Sequence, residues 1–335
     1  MVRGKSSKTG GIILEVLARL ANLPGALPGA CAQGLIWGIM AIGVYITYRV
    51  LDVADLTVDG SLATGGAVCV LLMLNGMNAY LAMLCAVLAG MLAGLVTGLF
   101  HTRCGIPAIL AGILTQLALY SINLRVMGWG TAAGTQATLA IRVDSYDLAV
   151  SSRYVRDLSL QNPIPLLAVV IVALIAILYW FFGTEVGCGI RATGANRNMS
   201  RAQGINTGRN TVIGLMISNG LVALAGALLA QYQGSSTIDM GRGAIVIGLA
   251  AVIIGEVAFS KLFRNFSLKL LACVIGSIIY YVVIQVVLRL GLDPNDLKLF
   301  TALIVAVFLA IPYWKGQLSV RRTHARQAKE ETNNA

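Results

Sequence analysis

Long apolar runs alternate with short polar segments along almost the whole chain. Nine of these runs approach the roughly 20 residues that a helix needs to cross a bilayer. They lie near residues 33–50, 57–75, 79–100, 105–127, 164–183, 209–231, 242–259, 267–290 and 298–314. The second run begins with the polar, glycine-rich stretch DLTVDGSLATGG, so the count falls to eight if that run is broken or re-entrant. The pattern predicts an all-α polytopic membrane protein.

The two ends of the chain lie outside the apolar runs. Residues 1–32 are basic and then amphipathic, and two prolines interrupt them, so we expect an extension at the membrane interface rather than a span. Residues 33–314 form the membrane domain, and residues 315–335 form a basic tail. No segment has enough contiguous polar sequence for a separate soluble domain.

Composition supports the membrane assignment and narrows the chemistry. Of the 335 residues only 12% are charged, against about 25% in a soluble protein. The net charge of +11 comes from loops and the tail, which favours anionic lipid and cytoplasmic partners over nucleic acid. The six cysteines form no CxxC pair, and neither histidine has a nucleophile or acid at useful spacing. We therefore predict no catalytic residue, no metal site and no cofactor in this chain.

The most basic loop between two spans is Gly183 to Arg209. It carries four arginines against one acid, Glu185, and the positive-inside rule places such a loop in the cytoplasm. Counting spans from it puts the C-terminal tail in the cytoplasm as well. The same count puts the basic N-terminus outside, which conflicts with its charge.

The centre of this loop, Ala195 to Ile205, predicts a helix of about three turns. Asn196 is suited to cap it and Gly204 to end it. Met199 shares one face with Ala202, while the other faces carry charge. Such a helix below a membrane is suited to docking a soluble partner, although the charge alone is better explained by arginines that only set topology. The candidate docking residues in the loop are Arg191, Asn196, Arg197, Met199, Arg201 and Gly204.

Two stretches of the chain resemble each other at a spacing of 180 residues. Gly34 and Leu35 match Gly214 and Leu215, and Asp59 matches Asp239. The halves, 33–127 and 209–314, are offset by five spans, so they run in opposite directions across the membrane. Inverted repeats of this kind are typical of transporters, where a pathway lies between the halves.

Polar residues within the spans identify a candidate pathway. Each charge costs about 2.5–3.5 kcal/mol at mid-membrane, so it must pair, reach an interface or face a cavity. Asp59 lies near glycines 60, 65 and 66, which permit the second span to unwind, and its free backbone groups would then line a cavity. Most neutral polar groups within spans, such as Thr115, Gln116, Asn123, Ser218, Gln231 and Gln285, are expected to form interhelical hydrogen bonds. The pathway candidates are Asp59, Ser61, Thr64, Asn219, Asp239 and Arg242.

Two charged groups at predicted inner turns have local explanations. Arg49 lies near Asp52 and Asp55, and an ion pair between them would fix the first turn. Glu256 lies a few residues before Lys261 and Arg264 and would pair with one of them. The loop at 128–162 is external in this topology, is long, and has mixed charge, which suggests the docking of an extracytoplasmic protein.

Three stretches carry a resemblance to a known family. The loop GIRATGANRNMSRAQGINTGR, the later GLAAVIIGE and the early RVLDVADLTVDGS resemble permeases of ABC importers for branched-chain amino acids, and more closely the branch described as tryptophan/tyrosine-type permeases. The resemblance covers roughly Gly34 to Ile311. It implies that the basic loop holds a coupling helix, which docks an ATPase subunit that binds ATP and magnesium. It also implies that Glu256 lies near this contact and is a further candidate for coupling. It further implies a second permease copy, an extracytoplasmic solute-binding protein, and an amino acid or similar small solute carried across a bacterial inner membrane.

Two other interpretations remain open at this point. A stand-alone secondary transporter would share the inverted repeat but needs an ion or proton relay, and acids in mid-span are scarce here. A sugar or nucleoside permease of the same family differs only in its solute.

Overall fold

Helices account for nearly all of the ordered architecture. In the computed structural model the described residues are 27–141, 146, 148–156, 162–259, 263, 265–289 and scattered positions from 299 to 310. The helices are α1 (Leu27–Tyr45), α2 (Thr57–Leu74), α3 (Ala79–Thr102), α4 (Ala108–Met127), α5 (Pro163–Gly183), α6 (Glu185–Ala195), α7 (Arg197–Ala202), α8 (Thr207–Gln233), α9 (Ala244–Phe259) and α10 (Phe266–Arg289). Two short strands, β1 (Thr138–Ala140) and β2 (Ser235–Thr237), pair antiparallel.

Within the described residues, eight helices are long and apolar enough to cross a membrane. They match the first eight predicted runs, and the all-α polytopic class is confirmed. The first helix begins at Leu27, earlier than the predicted start at residue 33. The ninth run, 298–314, falls mainly outside the described residues, as do residues 1–26 and the tail.

The second span does not unwind at the glycines that would have permitted it. Glycines 60, 65 and 66 all lie within the continuous helix α2. The glycine at position 65 allows a close approach instead, because a Cβ there would collide with the carbonyl of Ala223 on α8. The non-helical part is residues 51–56, which follow a π-helical turn, Ile46–Val50, at the end of α1.

Residues 51–56 do not form a surface turn but run into the bundle. Arg49 contacts Glu256 of α9, whereas Asp59 contacts Ile245 at the start of the same helix. Eleven helical residues separate those two contacts, a rise of about 17 Å. The chain after α1 therefore climbs along α9 before α2 begins, and α2 starts inside the bundle.

The segment between α8 and α9 enters the bundle from the opposite end. Helix α8 ends at Gln233 beside the two-stranded sheet, and the chain then forms the 3-10 turn Ile238–Gly241. Gly243 nevertheless contacts Asp59, close to Ser61, which bonds Asn219 of α8. Asn219 lies 14 residues before the end of α8, or about 21 Å along it. Helix α9 therefore also begins in the interior.

The bundle has a buried centre and an exposed apolar rim. Helices α1, α2 and α8 are the most buried spans, and glycines let them pack closely. Helix α5 is the most exposed span, and α4 and α3 follow it. The exposed apolar side chains of these three helices suit a lipid or protein neighbour, as expected for membrane helices.

Candidate functional site

The basic loop folds into two helices rather than one. A single helix over Ala195–Ile205 was predicted, but α6 ends at Ala195 and α7 covers Arg197–Ala202. Asn196 separates them with extended backbone, and its side-chain oxygen accepts a 3.0 Å hydrogen bond from the Met199 amide. The predicted cap is therefore confirmed, and it starts α7 at Arg197 because a capping residue is itself non-helical. Gly204, at φ +78°, closes the turn, as predicted.

Helix α7 lies at one end of the bundle with an apolar side chain exposed. Met199 is 63% exposed, with Arg197 and Arg201 on neighbouring positions of the helix. The Arg201 Nε donates a 3.0 Å hydrogen bond to the Thr207 hydroxyl, which ties α7 to the first turn of α8. A contact at Met199 is thus connected to the most central helix of the bundle.

Arg191 belongs to a different surface from α7. It lies on α6, with its guanidinium carbon 5.4 Å from the centre of the Phe266 ring. A Cβ at Gly194 would collide with the Val50 carbonyl, so α6 packs tightly against the end of α1. The α6 helix is consequently part of the bundle rather than a free loop.

The predicted pairing of Arg49 with Asp52 or Asp55 is wrong. Arg49 instead forms a bidentate salt bridge with Glu256 of α9, with nitrogen–oxygen distances of 2.6 to 3.0 Å. Asp52 adopts a left-handed backbone, φ 55°, and Asp55 turns into the bundle. The predicted partners of Glu256, Lys261 and Arg264, lie outside the described residues.

A chain of polar side chains holds the start of α2 in the interior. The buried Asp55 carboxylate accepts hydrogen bonds from the Thr57 amide (2.9 Å) and the Asn219 side-chain amide (2.7 Å). Ser61 in turn donates to the Asn219 side-chain oxygen at 2.6 Å. Burial raises the pKa of the Asp55 carboxyl, and the donors from Thr57 and Asn219 oppose that shift. This network makes the 51–56 segment a fixed part of the bundle.

Three predicted pathway residues are therefore interior hydrogen-bonding groups. Ser61 and Asn219 bond each other, and Thr64 donates to the Gly60 carbonyl one turn earlier in its own helix. None of the three lines the cavity described next. Their polarity alone did not reveal this, because a pathway group and an interhelical bond have the same sequence signature.

The other three pathway candidates converge. The Asp59 carboxylate accepts 3.0 Å hydrogen bonds from the Gly243 and Ile245 amides, at the start of α9, where a helix favours negative charge. Asp239 and Arg242 form a largely exposed ion pair at 2.9 Å in the same segment. Asp59 and Arg242 line one cavity.

That cavity has a volume of about 240 Å³ and lies between α2, α4 and the turn before α9. Helix α4 contributes Gln116, Tyr120 and Asn123. The Asn123 side chain is buried, and its oxygen has no hydrogen-bond partner among the described residues, which leaves an acceptor available at the cavity. Gln116 and Asn123 were noted in the sequence only as neutral span residues, and Tyr120 was missed because an aromatic residue in a span carries no distinguishing signal.

No cluster of three or more metal-binding side chains occurs among the described residues. The site is instead built from one ion pair, one helix-capping carboxylate, amides and a phenol. Such groups can bind a small polar solute without changing its covalent structure.

Comparison with known proteins gives consistent results. Residues 26–312 match the family described as "Branched-chain amino acid transport system / permease component". A tyrosine transport system permease protein of Clostridioides difficile is 38% identical over 294 residues, which are 88% of this chain and 93% of that protein. A fructose import permease of Bifidobacterium longum is 26% identical over 76% of this chain and 68% of its own length.

One solved structure, PsaBC from Streptococcus pneumoniae in complex with Fab, matches 84% of this chain and 99% of that chain. Its sequence identity is 15% and its TM-score 0.40, so the likeness supports no inference about this chain.

Proposed function

The chain belongs to the permease family of branched-chain amino-acid transport systems, and on that premise we propose that it imports an amino acid with an ATPase partner. As a permease of ABC transport systems it is a non-catalytic, multi-pass inner-membrane component. The proposal goes beyond the family assignment by specifying the solute, the surface that docks the ATPase, and the assembly. In it ATP and magnesium bind to separate ATPase subunits.

Helix α7 is the proposed coupling surface. The observation that carries this is Met199, exposed on a capped helix that Arg201 ties to α8. An apolar knob between arginines suits a groove with acidic edges on a soluble subunit. Movement of that subunit would be passed to α8. The α7 end of the bundle then faces the cytoplasm, together with the C-terminus. Arg191 on α6 and Glu256 on α9 lie outside this surface, where they contact Phe266 and Arg49.

The 240 Å³ cavity is the proposed solute contact. Its groups complement an amino acid, because Arg242 can bind a carboxylate, Asp59 can attract an ammonium group, and Tyr120 offers an aromatic face. Asp239 does not line the cavity but pairs with Arg242 beside it. The cavity lies where α2 and α9 begin inside the bundle, after non-helical segments, and such a placement is typical of transporter solute sites. The similarity to a tyrosine permease supports an aromatic amino acid.

The exposed faces of α3 and α4 suit a second copy of the chain, which would enclose the cavity between two protomers. A solute-binding protein would deliver the solute at the end with the two-stranded sheet. The pathway would then open alternately to the two sides.

Uptake of labelled solutes tests the proposed solute. Cells with this permease, its ATPase and its binding protein should accumulate tyrosine or another amino acid in an ATP-dependent manner. Arg242→Gln and Tyr120→Ala should lower that uptake by tenfold or more, corresponding to about 1.4 kcal/mol. Tyr48→Ala, at an exposed position in the π-helical turn after α1 and outside the cavity lining, is the matched control and should transport normally.

The outcomes separate the alternatives. Uptake of fructose but not of amino acids would favour a sugar permease, which the fructose import relative makes the second candidate. Uptake that persists without any ATPase would favour a secondary transporter. Normal amino-acid uptake by Arg242→Gln and Tyr120→Ala would reject the cavity as the solute contact.

A further inference from the structure

We propose that the α7 end of the bundle carries a binding site for an anionic phospholipid. Two cavities meet there, one of about 510 Å³ and one of about 400 Å³. Arg191 and Phe266 line both. The two cavities therefore form one continuous site with two chemically different halves.

The larger cavity is basic. Arg49, Arg191 and Lys269 line it, from α1, α6 and the first turn of α10. The Glu256 salt bridge partly neutralises Arg49, whereas Arg191 lies over the Phe266 ring and forms no salt bridge with any described residue. None of the residues that line either cavity, all from the described part of the chain, is acidic. A phosphate group is the ligand that this arrangement favours.

The smaller cavity is aromatic. Tyr179, Trp180 and Phe182 at the end of α5 line it together with Phe266. Trp180 is 71% exposed, and α5 is the least buried of the eight spans. Tryptophan and tyrosine at a span end are typical of the headgroup level of a membrane. An acyl chain would lie along α5, outside the bundle, while its headgroup enters the basic cavity.

A lipid explains this combination better than a soluble anion or a protein. A free phosphate would use the three cations but leave the aromatic half without a role. A docked protein would be expected at α7, where Met199 projects, and not along the face of α5. Basic cavities between spans at the membrane surface are suited to anionic headgroups.

The site also has a structural consequence. The bound phosphate would join α6 to α10 and lie next to the Arg49–Glu256 salt bridge between α1 and α9. Four helices would then meet at one headgroup. We expect the lipid to stabilise the α7 end of the bundle against heat.

Native mass spectrometry of the purified full chain in detergent tests the site. Phosphatidylglycerol should bind at one site per chain, and phosphatidylcholine should bind at least tenfold more weakly. Replacing Arg191 and Lys269 together by glutamine should weaken phosphatidylglycerol binding by about 25-fold, or roughly fivefold for each cation. Arg103→Gln, at the exposed turn after α3, is the matched control and should leave binding unchanged.

A second variant covers the aromatic half. Trp180→Ala should weaken phosphatidylglycerol binding several-fold, while Trp129→Ala, at another highly exposed tryptophan, should not. Phosphatidylglycerol, but not phosphatidylcholine, should raise the melting temperature of the native chain and not that of the Arg191/Lys269 double variant.

Equal binding of the two lipids would overturn the proposal, as would unchanged binding by the double variant. Binding of inorganic phosphate as tightly as phosphatidylglycerol would assign the basic cavity to a free anion instead. Because no transport is measured, a failure here leaves the proposed function standing.

Discussion

Replacing Gly112 by alanine tests whether residues 51–56 are held inside the bundle. Gly112 lies on α4 and faces the start of α2. A Cβ at this position would lie 2.8 Å from the Leu56 nitrogen and 3.2 Å from the Thr57 nitrogen. Ordinary contact begins at 3.4 Å, so α4 and this backbone must separate by about 0.6 Å. The Thr57 amide is also the donor to Asp55, so the shift strains the buried network.

The expected change in unfolding free energy for Gly112→Ala follows from two opposing contributions. Overpacking of a close helix contact costs about 1–3 kcal/mol. Alanine recovers about 1 kcal/mol of helix propensity relative to glycine. Gly183→Ala, at the end of α5, receives only the favourable contribution, because no described residue lies within 4 Å of its Cβ position. We therefore expect Gly112→Ala to be less stable than Gly183→Ala by about 1–3 kcal/mol.

Thermal unfolding in detergent at one fixed scan rate measures this difference. At on the order of 2 °C per kcal/mol, Gly112→Ala should melt several degrees below Gly183→Ala. Hydrogen exchange should become faster at residues 51–57 in Gly112→Ala and remain unchanged in Gly183→Ala. Equal melting temperatures and equal exchange would refute the close contact, and with it the placement of residues 51–56.

Two further predictions concern charged groups near the same segment. A double-mutant cycle of Arg49→Gln and Glu256→Gln should give a coupling energy of about 1 kcal/mol in thermal unfolding. This value is modest because the Arg49 side chain is half exposed. Strictly additive effects of the two single substitutions would contradict the salt bridge. Because burial raises the pKa of Asp55, its contribution to stability is complete below the ordinary carboxyl pKa of about 4 and is lost as the pH rises through the raised value. Asp55→Asn should therefore flatten the decline in melting temperature above that pH, and an unchanged slope would exclude Asp55 as its source.

Periodicity and length were sufficient to predict the spans. Eight apolar runs became eight helices because each run is long enough to satisfy its own backbone within a membrane. The capping of α7 was also predictable, since Asn196 and Gly204 act on their immediate neighbours. These features depend on residues close together in the chain.

Long-range contacts were not predictable in the same way. Arg49 was assigned to nearby aspartates, yet it pairs with Glu256, 207 residues away. The glycines of α2 suggested unwinding, but glycine in a membrane helix equally allows close packing, and here α8 occupies the space. Residues 51–56 were treated as a turn because a single sequence carries no information about how deep a polar segment lies. The inverted repeat stays a prediction, although α2 and α9 both begin after non-helical segments inside the bundle.

Coupling of the chain to an ATPase through α7 is the central claim, and purification from native membranes tests it most directly. We predict that the tagged permease co-purifies with an ATPase subunit in equal amounts, as measured by mass spectrometry. Met199→Glu should abolish that association, whereas Met77→Glu, an exposed methionine at the turn between α2 and α3, should preserve it. A permease that purifies alone under conditions that preserve such complexes, or an ATPase retained equally by both variants, would contradict the claim.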